Sequence, residues 1–72
     1  MQTESPHDRF KRLATKRTNA VMEKLRVLSN CSNRSLYDYS ESDVNKIFSV
    51  IEKELKDVKA KFQPKRHRKF IL

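Results

Sequence analysis

The chain is 72 residues long, 36% hydrophobic and 36% charged, with no glycine and two prolines. Seventeen Lys and Arg against nine Asp and Glu leave a net charge of +8. A chain this short supports one small domain with a limited core. The lack of glycine and of β-branched runs argues against strand hairpins and for helices. Its apolar runs are too short for a membrane span or a signal-peptide core. The single cysteine, Cys31, cannot form an internal disulfide, which fits a reducing compartment. An intracellular, cytoplasmic protein is therefore expected, and a nucleoid-associated place accords with its charge.

In chain order, residues 1–5 are polar and are expected to form a disordered N-terminus. Ser5-Pro6-His7-Asp8 reads as a helix beginning, with serine as cap, proline at the first helical position and an acid at the third. Phe10, Leu13, Ala14, Val21, Leu25 and Leu28 follow at helical spacing and predict a first helix over about 6–30. Cys31 falls on its apolar side and reads as a small buried hydrophobe. With no glycine available, Asn30 or Asn33 is the candidate left-handed terminator. A polar connection holding Arg34, Leu36, Tyr37 and Tyr39 leads to the second helix.

The second helix, over about 40–62, carries the clearest pattern in the chain. Val44, Ile47, Phe48, Ile51, Leu55, Val58 and Phe62 form one apolar stripe. Ser40 and Asp43 are spaced as a capping box, and Tyr39 and Val44 as a hydrophobic staple. Glu41 and Asp43 begin the helix and Lys59 and Lys61 end it, as the helix dipole prefers. Pro64 argues against continuation. Residues 63–72 form a basic tail that closes on Phe70, Ile71 and Leu72.

Two helices of matched length joined by a short connection predict an all-α fold, an antiparallel two-helix hairpin spanning 6–62. A lone hairpin of this size is marginal, so a homodimer forming a four-helix bundle is expected. That hairpin sets the start of the first helix beside the end of the second. Arg9, Lys11, Arg12, Lys16 and Arg17 then gather near Lys65, Arg66, Arg68 and Lys69. Clustered Arg and Lys from two segments match the footprint of phosphate-backbone binding. Arg17 lies within the apolar stripe, where it either snorkels, pairs with Glu54, or reaches a phosphate. Arg34, next to Tyr37 and Tyr39, adds a candidate for stacking on bases.

Catalysis finds no support in the residues. His7, His67 and Cys31 are far apart in sequence, no spacing suits zinc, and a chain without glycine has no phosphate-cradling loop. No enzyme, no metal and no cofactor is expected. The expected function is a small basic accessory or regulatory protein that contacts the phosphate backbone of DNA or RNA. The alternative is a protein-interaction adaptor or inhibitor of phage or mobile-element type, with the apolar stripe or the tail engaging an acidic protein partner.

Overall fold

The structure, a computed structural model, describes residues 3–64. Among these residues it is all-helical: α1 (Pro6–Ser29), a 3-10 turn (Asn30–Ser32) and α2 (Glu41–Lys61), with no strand. The tail cations Lys65, Arg66, Arg68 and Lys69, and the terminal Phe70, Ile71 and Leu72, lie outside the described residues. The chain divides into two units, Met1–Asp38 and Tyr39–Leu72, one helix in each.

In the first unit, Ser5 is the N-cap. Its hydroxyl oxygen accepts the Asp8 backbone N–H at 3.1 Å, and its carbonyl accepts the Arg9 N–H at 2.9 Å. Pro6, which lacks an N–H, occupies a position where that donor would have no helical partner. Asp8 in the first turn and Arg26 in the last complement the dipole.

The end of α1 departs from the sequence expectation. Neither Asn30 nor Asn33 is left-handed: Asn30 sits at φ −65° and Asn33 at φ −72°, and no described residue has positive φ. A left-handed conformation is costly for any residue with a Cβ. The helix instead tightens into the 3-10 turn, which satisfies carbonyls through shorter-range bonds. The Asn30 N–H donates back to Leu28 and Val27, and the Ser29 hydroxyl donates to the Arg26 carbonyl at 2.6 Å. Cys31 is carried in this turn and is exposed, not the buried filler its helical phase suggested. Asn33 then organises a turn of its own. Its side-chain oxygen accepts the Ser35 N–H at 3.0 Å, and its carbonyl accepts from Leu36 and Tyr37.

In the second unit, the capping box at the start of α2 is complete. The Ser40 hydroxyl accepts the Asp43 N–H at 3.1 Å, while the Asp43 carboxylate accepts the Ser40 N–H at 2.9 Å. Tyr39 and Val44, the two staple positions, are both half-buried. At the other end, Phe62 closes the helix and its N–H donates to Lys59 at 3.1 Å.

No described residue of either unit is fully buried. Leu13, Ala14 and Leu28 in α1, and Val44 and Ile51 in α2, are half-buried. Local bonds therefore define the elements, and the caps contribute a large share.

Replacing Ser40 with alanine is expected to lower the stability of α2 by about 1 kcal/mol, read as lost helical circular dichroism on heating. The bond from the Ser40 backbone N–H, with further help from the Ser40 side chain, holds the Asp43 carboxyl below its ordinary value. A depressed folded value means the stabilisation is full above the unfolded carboxyl value of about 4 and fades as pH falls through the folded value. Helical signal followed from pH about 6 to about 2 should therefore fall, and D43N should flatten that fall.

Candidate nucleic-acid interface

Positive charge is concentrated on α1. Arg9, Lys11, Arg12, Lys16, Arg17, Lys24 and Arg26 face only Asp8 and Glu23 on the same helix, whereas α2 carries five charges of each sign. All the sequence-derived cations of the first unit (Arg9, Lys11, Arg12, Lys16, Arg17 and Arg34) are exposed.

Helix geometry sorts them. At about 100° per residue, Arg9, Arg12 and Lys16 (i, i+3, i+7) fall within about 60° of one another and form a single row. The row runs for about 10 Å along the helix, at about 1.5 Å per residue. Lys11 lies to one side of it. Arg17 lies to the other, among Phe10, Leu13 and Val21 on the apolar stripe. Arg34 belongs to the same unit but sits in the turn after the 3-10 segment, away from the row in sequence and on no helix. The structure therefore groups three of the candidate cations tightly and leaves Lys11, Arg17 and Arg34 as outliers.

Arg12, the middle of the row, is already engaged. Its Nε donates to Glu4 Oε1 at 2.9 Å and its terminal Nη2 to Glu4 Oε2 at 3.0 Å. This is the two-pronged geometry in which a guanidinium holds either a carboxylate or a phosphate. The hydrogen bonds from Arg12, with the attraction of its charge, hold the Glu4 carboxyl below its ordinary value, and Glu4 raises Arg12 in turn. Both groups remain solvent-accessible, so water and salt weaken the pair. Glu4 was not among the residues singled out from the sequence. It precedes the cap and lies eight positions from Arg12, so no helical spacing announces the pair. Further along α1, Arg26 is paired with Glu23 at 2.8 Å, which leaves Lys24 as the net charge of that end of the helix.

Among the described residues, no group of three His, Cys, Asp or Glu is placed to hold a metal ion, and no helix is long and apolar enough to cross a membrane. A shallow open depression on α2 is lined by Glu41, Ser42, Asn45, Lys46, Ser49 and Val50.

The sequence matches no protein-family model, no curated protein and no solved structure.

If the Arg12 fork is what holds Glu4 down, R12Q should let the Glu4 carboxyl titrate at an ordinary glutamate value. Carbon-13 NMR of the side-chain carboxyl over a pH series checks this, and R12K, which keeps the charge but loses the fork, should give an intermediate value.

Proposed function

We propose that this protein binds nucleic acid through phosphate contacts, with the exposed Arg9–Arg12–Lys16 row of α1 as the primary contact surface. The observation that carries the reading is the charge asymmetry: α1 carries seven basic and two acidic residues, the rest of the first 64 residues has no net positive charge, and the α1 cations cluster toward its N-terminal half. Polyanions reward this arrangement, because each neutralised phosphate releases condensed counterions. An accessory or regulatory role on DNA or RNA follows from contacts that address the backbone and leave the bases unread.

In the same proposal the two helices pair as an antiparallel hairpin and two chains form a four-helix bundle. Lys65, Arg66, Arg68 and Lys69 then extend the patch, with Lys11 and Arg17 at its margins and Arg34 as a secondary contact. Glu4 acts as a competitor: a phosphate takes the Arg12 fork by displacing a carboxylate held there only by an exposed pair.

Fluorescence anisotropy with labelled single- and double-stranded DNA and RNA, over a salt series, tests the proposal. Log affinity should fall with log salt at a slope of about −3 or steeper, since each phosphate contact contributes about −0.9 on duplex DNA. R9E/K16E should weaken binding at least tenfold on all sequences alike and flatten the slope by about 2. E4Q should tighten binding about twofold to threefold, the scale of an exposed pair. Absence of binding at low salt would overturn the reading and leave the adaptor alternative.

A further inference from the structure

Along α2, Val44, Phe48, Ile51, Leu55, Val58 and Phe62 recur at spacings of 4, 3, 4, 3 and 4. This is a heptad seam, with Phe48, Leu55 and Phe62 at a and Val44, Ile51 and Val58 at d. Within the structure the seam is partly open: Phe48 is 49% exposed and Leu55 56%, while Val44 and Ile51 are half-buried. The same spacing exists in α1 through Phe10, Ala14, Arg17, Val21, Lys24 and Leu28, but two cations interrupt it. Copies of α1 would therefore bring like charges together, while α2 carries balanced charge and an unbroken seam.

The charges beside the seam name the occupant and its direction. Most charged residues of α2 have an opposite charge three or four positions away: Asp43 with Lys46, Glu52 with Lys56, Lys53 with Asp57, and Asp57 with Lys61. Glu41 sits in the first turn, where the dipole favours it. Glu54 and Lys59 have no such neighbour. They occupy the g and e positions flanking the seam, and being five residues apart they point about 140° from each other on one helix. A single chain cannot bring them together.

We propose that α2 associates in parallel and in register with α2 of a second copy of this chain. In that arrangement a g position faces the e position five residues on in the other helix, so Glu54 of each copy meets Lys59 of the other, twice per pair. An antiparallel pair with the same seam overlap would set Glu52 against Glu52 and Glu54 against Glu54. The inference rests on the self-association proposed above and is independent of nucleic-acid binding; it makes a two-stranded α2 seam, in place of four-helix packing, the contact between the two chains.

The test uses the full chain. Sedimentation velocity at tens of micromolar should give a species of two chains. E54K and K59E should each weaken self-association about fivefold or more, and E54K/K59E should restore it, which a mere folding defect would not do. In a C31S background, V44C should form an intermolecular disulfide on mild oxidation, because parallel register places the two introduced thiols in one layer. An antiparallel pair would hold them about 27 Å apart along the axis. A monomer, a double charge swap no better than either single one, or cross-linking confined to a mixture of V44C and F62C chains would overturn the proposal. Anisotropy on the same samples separates these outcomes from failure of the nucleic-acid reading.

Discussion

Two serine side chains govern where each helix begins. Ser5 and Ser40 each accept an N–H from three residues on, and each carbonyl takes the first helical hydrogen bond. Without a fully buried residue among those described, these end bonds and the balance of charge along each helix carry much of the definition that a core supplies elsewhere. The start point decides what occupies the first turn: Asp8 in α1, and Glu41 with Asp43 in α2, all where the dipole favours an acid.

From the same two helices comes a division of character. α1 joins an interrupted apolar stripe to a dense row of cations, so its surface is suited to a polyanion more than to a copy of itself. α2 joins an unbroken stripe to balanced charge, so nothing long-ranged opposes its meeting another apolar surface. Under the proposed function, the cationic helix would make the phosphate contacts and self-association through α2 would multiply them without lengthening the chain.

The contact between Glu4 and Arg12 modulates this picture. A carboxylate placed on the central arginine of the row lowers the local positive charge and pre-shapes the guanidinium for a two-pronged acceptor. Because the pair is exposed, it gives way to a competing anion at little cost. The row is thus tempered without being blocked.

Much of the fold was legible from the residues alone, because it rests on interactions between sequence neighbours. The caps at Ser5 and Ser40, the capping-box acid Asp43, the dipole-matched ends and the helical phase of both stripes depend on bonds spanning three or four residues. Those spacings are written directly in the sequence, as is the excess of charge on the first helix. The structure decided what depends on the path of the backbone between such units. It brought Glu4 across the cap to Arg12, because the backbone at Ser5 is extended and leads the chain out of the helical path. It closed α1 with a 3-10 turn, because no residue there takes a left-handed conformation without steric cost. Cys31 lies in that turn and is exposed, as are most residues of the helix before it. Spacing along a chain fixes which residues share a helical face, whereas the path through a helix end fixes which residues from beyond it arrive at that face.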